Sequence, residues 1–234
     1  MLVGVIQYGY TKMKKVLKIF FIFLAAMAAI YVILVIIRMF HFYNLDKTNE
    51  QVAKIHNTKL TMDDVLGKNL PSDPGAEADK TIAGIDANKN GIRDDVELAI
   101  FKEYPNSAKT RAVLLQYALA LQMEATLPIV NPKTVTAWVE DVHSKADSCV
   151  GNLISRVELD KFLDEIKNKP EFSDERNRRL NEYVEKIERN INFVEKKQFN
   201  TEERKQYDKD FYKYLRSYSA SHEECDIDLL TLSN

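Results

Sequence analysis

Residues 19–37 read IFFIFLAAMAAIYVILVII, nineteen consecutive residues without a charged side chain. As an α-helix this stretch is about 28 Å long, close to the hydrocarbon thickness of a bilayer. A helix in the core of a soluble protein shows a polar face at a period of 3.6 residues, and this stretch has none. The sequence therefore predicts one transmembrane anchor, which we place at residues 19–40.

The charges that flank the anchor predict its orientation. Arg38 alone closely follows the apolar run. Four lysines precede it: Lys12, Lys14, Lys15 and Lys18. Because positive charge is retained on the cytoplasmic side, residues 1–18 are expected in the cytoplasm and the remainder outside it. We therefore expect a single-pass protein of the inner (cell) membrane with a periplasmic C-terminal domain.

A cleaved signal peptide is the alternative interpretation of the same segment. Met13 could be the true start, and Ala26-Met27-Ala28 matches a small-residue cleavage pattern. The apolar run continues from Tyr31 to Ile37, beyond that site, which a signal peptide does not require and which favours an anchor. Both interpretations export the C-terminal part of the chain.

Composition limits the class of protein behind the anchor. Hydrophobic residues make up 45% and charged residues 29%, as in an ordinary globular protein. A formal net charge of −2 lacks the basic excess of a dedicated nucleic-acid binder, so no nucleic-acid partner is expected.

The two cysteines, Cys149 and Cys225, both follow the anchor, where an oxidising compartment lets a disulfide persist. A bond between them would close a loop of about 76 residues, worth roughly 4.5 kcal/mol on the chain-entropy model. The alternative is two unrelated thiols. The chain has no Asn-x-Ser/Thr sequon, which favours a bacterial envelope over a eukaryotic secretory route.

Apolar residues beyond residue 94 recur mainly at helical spacing, which predicts an all-α domain of about six helices. Asn131 and Pro132 are typical of a helix start, as is Thr201. We place a juxtamembrane spacer or helical extension at residues 41–66 and the helical domain at residues 67–234. The predicted stripes are Leu114–Leu121, Val135–Ala146, Leu159–Ile166, Leu180–Val194 and Tyr207–Tyr218.

One segment, residues 84–97 (GIDANKNGIRDDVE), carries recognisable chemistry. Counted from Asp86 as position 1, its oxygen donors recur at positions 1, 3, 5, 7, 9 and 12. Gly91 stands at position 6, where a sharp turn requires positive φ. A hard divalent cation prefers such a shell of oxygens, so the segment predicts a Ca²⁺ site. The predicted ligands are Asp86, Asn88, Asn90, the carbonyl of Ile92, Asp94 and Glu97.

This loop resembles an EF-hand loop and, in detail, the thrombospondin type-3 and dockerin-like variants. The resemblance covers about twelve residues and implies a metal but no activity. The longer string, followed by Tyr104-Pro105 and Gln116-Tyr117-Ala118, also resembles a group of bacterial membrane-anchored envelope proteins of unassigned function.

Two departures from the EF-hand pattern favour a structural calcium site over a sensor. Arg93 stands where a paired loop would have an apolar residue, and the sequence contains no second loop. Asn88 and Asn90 lower the ligand charge, which is typical of weak extracellular sites. The alternative is a polar turn that only caps the helix starting near Asp94.

Other candidate groups are weaker. Neither His143 nor the run His222-Glu223-Glu224-Cys225 has the ligand spacing of a zinc site. The charged stretch from Glu175 to Lys209 is interpreted as a solvated helix face with ion pairs at i, i+4. The aromatic stripe Tyr207–Tyr218 is predicted to be core, with an exposed partner groove as the alternative.

The leading hypothesis is a non-enzymatic scaffold or interaction protein, tethered to the membrane and stabilised by calcium and a disulfide. One alternative is an envelope enzyme whose active site is dispersed along the sequence, so that no catalytic residue is predicted. The other is a calcium-responsive binding module. A deep polar pocket containing perturbed carboxylates or His143 would favour the enzyme. An exposed apolar patch on the last two helices would favour an interaction protein.

The lysine bias predicts that protease added to spheroplasts digests residues 44–234, because they lie outside the cytoplasm. Immunoblotting of the remaining fragment measures the digestion, and a cytoplasmic protein serves as the control for cell integrity. If disruption of the membrane is needed for digestion, the orientation is inverted.

Overall fold

A computed structural model describes residues 2–128, 131–151, 156–167, 173–219 and 225–233. The chain forms two compact units, residues 1–47 and residues 48–234. The described residues contain helices and turns but no β-strand, which confirms the predicted all-α fold.

The first unit is the greater part of helix α1, which runs from Leu2 to Asn57. Its side chains from Met13 to Lys47 are exposed, and its most apolar window has a mean hydropathy of 3.0. The predicted long apolar helix near the N-terminus is thus confirmed. Its length and composition are those of a membrane anchor, and a signal sequence has the same properties.

The second unit includes residues 48–66, which the sequence interpretation assigned to a spacer before the folded domain. Ile55 near the end of α1 is buried, as are Leu60 and Val65. Helix α2 (Met62–Leu66) begins at the predicted cap Thr61, whose side chain and that of Asp64 form a reciprocal capping box. These few apolar residues are too widely spaced to form a stripe, so their burial depends on the helices they meet.

Helix α4 (Ala108–Thr126) lies at the centre of the second unit. All its residues from Arg111 to Glu124 are buried, whereas the sequence predicted only one apolar stripe. A helix buried on all sides is packed by other elements around its whole circumference. The other helices are α3 (Asp94–Glu103), α5 (Pro132–Trp138), α6 (Ser144–Gly151), α7 (Arg156–Ile166), α8 (Ser173–Gln198) and α9 (Glu202–Tyr212), with a 3₁₀ turn at Gly75–Asp79.

The predicted helix around Trp138 is confirmed but is not uniform. Asn131 caps α5 through its side chain, with Pro132 in the first turn. A π-helical turn at Val139–His143 then joins α5 to α6. A π turn rotates the side chains that follow it relative to a regular helix. Trp138 is completely buried and its indole N–H donates to the carbonyl of Ala120 at 3.1 Å.

The predicted disulfide is present between Cys149 of α6 and Cys225. Cys149 is completely buried, with Ala146 and Val150 beside it in the core. The bond joins the C-terminal segment to α6, across 76 residues of sequence.

Helix α9 is shorter than the helix that the aromatic stripe Tyr207–Tyr218 predicted. It begins at the predicted cap Thr201 and ends at Tyr212, so Tyr214 and Tyr218 lie beyond it. Phe211 is core, but Tyr214 and Tyr218 are 46% and 53% exposed, and the prediction of a core role for them is wrong. The chain leaves the helix here, and the Ser219 N–H donates to the Glu140 carboxylate at 2.9 Å.

Arg204 of α9 corrects the interpretation of residues 175–209 as a wholly solvated face. Its side chain is 1% exposed. The pair Glu175–Arg179, by contrast, lies on the surface as predicted. The guanidinium donates to the carbonyls of Ala78, Thr81 and Ile82 and to the side chains of Asp79 and Asn200. Arg204 therefore connects residues 78–82 to α9 by hydrogen bonds.

Replacing Arg204 with Met should destabilise the protein by about 3 kcal/mol, because it removes a buried charged donor and leaves carbonyls unpaired. Denaturant unfolding of the full chain in detergent measures the loss. The neighbouring Lys205→Met is the control, since Lys205 is exposed and pairs with exposed Glu202. Equal stability of the two variants would contradict a structural role for Arg204.

Candidate metal loop and buried carboxylate cluster

The segment from Gly84 to Arg93 has the backbone of a tightly wrapped loop. Gly84 and Gly91 have φ angles of +66° and +85°, and Lys89 has φ +60°. A Cβ atom at Gly91 would lie 2.7 Å from Leu119 Cδ1, so the turn requires glycine for its conformation and for its close approach to α4.

Two predicted ligands meet a third in this loop. Asn90 Nδ2 donates to Glu97 Oε1 at 2.9 Å, and Asn88 Nδ2 donates to Glu97 Oε2 at 3.0 Å. Glu97 lies in the first turn of α3 and is 1% exposed. Two amide groups thus converge on one buried carboxylate.

The other predicted carboxylates bind backbone N–H groups. Asp86 accepts from Gly91 N at 3.0 Å and from Asn90 N at 3.2 Å. Asp94 accepts from Ala87 N at 3.0 Å. Both carboxylates hold the loop in its wrapped form.

Ile92 and Arg93 anchor the loop to the helices. The Ile92 side chain is completely buried in the core. Arg93 is also completely buried, and it donates to the carbonyls of Lys197 and Gln198 at 2.5 and 3.0 Å and to Asp95. The residue that departs from the EF-hand pattern therefore binds the C-terminal end of α8, where helix carbonyls lack partners.

The pKa of Glu97 is raised to about 7. Burial is the largest cause, the charges of Asp64 and Asp94 also raise the pKa, and the hydrogen bonds from the Asn88 and Asn90 amides lower it. Burial also raises the pKa of Asp94. Negative charge is therefore costly at this site unless a cation or a proton accompanies it.

The donor set suits a hard cation but not a transition metal. Among the described residues, no group of three or more His, Cys, Asp or Glu side chains is arranged to hold a metal ion. Calcium sites also use amide and backbone oxygens, and a half-turn of each asparagine amide exchanges its nitrogen for its oxygen. The residues of the loop thus fit an oxygen-liganded ion better than a zinc ion.

The histidines add no transition-metal site to the described part of the chain. His222, Glu223 and Glu224 lie outside the described residues. His143 Nε2 lies 3.4 Å from Asp147 Oδ2, and its ring stacks on Trp138 with a centroid distance of 4.9 Å.

A second group of titratable residues, which we call the carboxylate cluster, lies between helices α4, α6, α8, α9 and the π turn. Its centre is Glu124 of α4, which is completely buried and whose two carboxyl oxygens have no hydrogen-bond partner among the described residues. Burial raises the pKa of Glu124 to about 9, and burial also raises the pKa of Asp208 of α9. The members are Tyr117, Glu124, His143, Asp147, Glu195, Asp208 and Tyr212.

Sequence reasoning missed this cluster. Its members come from four helices and the π turn, so no local spacing joins them. One signal was available, since Glu124 is the only acidic residue of helix α4 and follows a largely apolar run. A lone carboxylate on an apolar helix needs a partner inside the fold.

The two cavities found among the described residues do not reach the centre of this cluster. One, of about 150 Å³, is lined by polar groups that include Lys59, Lys145 and Asp226. Lys145 and Asp226 form an ion pair at 2.8 Å there. The other, of about 240 Å³, lies beside the metal loop and includes Asp86 and Gly91. Neither has Glu124 or Asp208 in its wall.

Comparison with family models, curated proteins and solved structures found no match.

The close approach at Gly91 predicts that Gly91→Ala destabilises the protein more than Gly75→Ala. Both glycines have positive φ, but a Cβ at Gly75 meets no atom within 4 Å. The strain of a positive φ is common to both substitutions. The two losses of unfolding free energy should therefore differ by the cost of the clash with Leu119, about 1 kcal/mol or more. Unfolding of both variants with a chelator present measures it, and equal losses would mean that Leu119 yields without cost.

Proposed function

We propose that this protein is a membrane-tethered, extracytoplasmic calcium-binding helical protein with a non-enzymatic scaffold or interaction role. The observation that carries the proposal is the convergence of the Asn88 and Asn90 amides on buried Glu97. The long apolar helix supports the tether, and the disulfide supports an oxidising compartment.

The chemistry of the loop supports an oxygen-liganded cation. Asp86, Asn88, Asn90, the Ile92 carbonyl, Asp94 and Glu97 would hold it, and it would supply positive charge beside a buried carboxylate. In the structure the Asn88 and Asn90 amides donate hydrogen bonds to Glu97. A divalent ion compensates a carboxylate more strongly than an amide dipole does.

The anchoring of the loop supports a stabilising role over a sensing one. Arg93 and Ile92 fix the loop to α8 and to the core by contacts that require no ion. A sensor needs a second arrangement of its helices that the ion favours, and the sequence has no partner loop to couple to. Calcium binding is therefore expected to brace the start of α3 and to leave the other helices in place.

A scaffold or interaction role is supported by exposed aromatic residues. Tyr214 and Tyr218 are solvent-exposed after α9, and aromatic residues are favoured where proteins bind one another.

Millimolar Ca²⁺ should raise the melting temperature of the full chain in detergent by several degrees. Ligand at about 100 times its dissociation constant adds about 2.7 kcal/mol of stability by mass action. Mg²⁺ should be less effective because it requires a smaller octahedral shell. Differential scanning calorimetry with Ca²⁺, Mg²⁺ or chelator measures the shift.

Glu97→Gln should abolish the calcium-dependent increment, and Glu103→Gln is the matched control because Glu103 is exposed on the same helix. Equilibrium dialysis with ⁴⁵Ca²⁺ should find one bound ion in the wild type and in the control. If the protein melts identically with calcium and with chelator and binds no ion, residues 86–97 form only a helix-capping turn. A large calcium-driven change in helicity would instead support a sensor.

A further inference from the structure

The cavity of about 150 Å³ in the second unit has a wall built from several separate parts of the chain. These are the end of α1 with the residues that follow it, helix α4, the π turn, helix α6 and the C-terminal segment. Because these parts are distant in sequence, the cavity exists only in the folded domain. Its charged and polar side chains include His56, Lys59, Gln116, Asp141, Lys145 and Asp226.

The floor of the cavity is an ion pair that is nearly buried. Lys145 Nζ lies 2.8 Å from Asp226 Oδ1, and the two side chains are 14% and 7% exposed. Asp226 Oδ2 accepts a hydrogen bond from the Leu60 N–H at 3.0 Å, and the Asp226 N–H donates to Gln116 Oε1 at 2.9 Å. Asp226 is therefore fixed in position, and it positions the Lys145 ammonium group, which has three N–H donors. Withdrawing two charges from water is costly, and a further polar group that enters the cavity reduces this cost.

The disulfide holds this floor in place. Cys149 follows Lys145 by one turn of α6, and Cys225 immediately precedes Asp226. The disulfide and the ion pair are therefore neighbouring links between the same two segments, α6 and the C-terminal segment. A wall that is fixed before binding loses little conformational freedom when a ligand enters, which favours affinity.

The side of the cavity nearer the solvent carries a second ion pair. His56 Nδ1 lies 3.6 Å from Asp141 Oδ2, and these side chains are 54% and 35% exposed. Lys59 is exposed as well. The wall therefore reaches from the solvent to the nearly buried floor, which gives a small solute a route into the cavity.

The charges of the wall favour a ligand that carries both signs. Lys59 and Lys145 supply positive charge, and Asp141 and Asp226 supply an equal negative charge. An ion of one sign gains little net attraction here, because its favourable contacts are offset by unfavourable ones. A zwitterion can place each of its charges beside the opposite charge of the wall.

The volume and the apolar part of the wall limit the size of that ligand. Since a water molecule occupies about 30 Å³ of liquid, the cavity has room for about five or six non-hydrogen atoms. The aliphatic side chains of Ile55, Leu119 and Val142 line it beside the charged groups. Apolar walls with a few polar groups that fix orientation are typical of small-molecule sites. This combination suits a zwitterion with no side chain or a short aliphatic one.

We propose that this cavity binds a small zwitterion of the α-amino-acid class, such as glycine or alanine. The carboxylate of the ligand pairs with the ammonium groups of Lys145 and Lys59, and its ammonium group pairs with Asp141. The site goes beyond the calcium-binding scaffold proposed above and is separate from the metal loop, since none of the predicted calcium ligands is among the described residues of its wall.

Equilibrium dialysis of the full chain in detergent, with chelator present, against radiolabelled glycine or L-alanine tests the site. One molecule should bind per chain with a Kd between about 10 µM and 1 mM, because so small a ligand makes few contacts. Acetate and ethylamine each carry one of the two charges of alanine and should compete more weakly by about tenfold or more. L-Phenylalanine exceeds the volume of the cavity and should not compete.

Lys145→Gln and Asp141→Asn should each weaken L-alanine binding by about tenfold or more, since each removes one charge that faces the ligand. Asp141 lies nearer the solvent and provides the test if Lys145→Gln does not fold. Lys54→Met is the control, because Lys54 is exposed on α1 and lines the other cavity. Circular dichroism checks that each variant is folded.

Three results would overturn the proposal. If neither amino acid binds saturably, the cavity holds water only. If acetate competes as well as L-alanine, the site is one for simple anions. Wild-type affinity in a folded Lys145→Gln or Asp141→Asn variant would place the bound molecule elsewhere. Because calcium is chelated throughout, the outcome does not depend on whether the metal loop binds an ion.

Discussion

The second unit depends on buried guanidinium groups that bind backbone carbonyls. Arg93 donates to the last carbonyls of α8, and Arg111 donates to carbonyls at the ends of α2 and α3. Arg204 does the same for the loop before residue 84. Carbonyls at a helix C-terminus have no partner in the helix and carry the negative end of its dipole, so a guanidinium satisfies both their hydrogen bonding and their charge. These hydrogen bonds hold loops and helix ends of the second unit in place.

Helix α4 joins an apolar core to a polar one. From Val113 to Leu121 it is surrounded by apolar side chains, with Gln116 as a buried polar exception, and near its C-terminal end Glu124 is buried in the carboxylate cluster. Buried polar groups fix which helix faces meet, because any other arrangement leaves them without partners.

Local features were predictable because their causes lie within a few residues. The apolar run of residues 19–37, the caps at Thr61, Asn131 and Thr201, and the turn at Gly91 each follow from neighbouring side chains or from the conformation of glycine. The wrapped shape of the metal loop belongs to this class, since Asp86 and Asn90 bond to the backbone next to them. The disulfide was predictable for a different reason, as only two cysteines were available to pair.

The sequence by itself determined an apolar N-terminal helix, a helical fold and a tight loop at residues 84–93, for which it predicts a calcium site. Only the tertiary structure decided that Arg93 binds α8, that Arg204 is buried, that α9 ends at Tyr212, and that Glu124 is completely buried. The physical reason is the separation along the sequence over which each interaction acts. Helix period, capping and turn conformation are set by residues up to four positions apart, whereas burial and pairing are set by helices that are distant in sequence and meet only when the core forms.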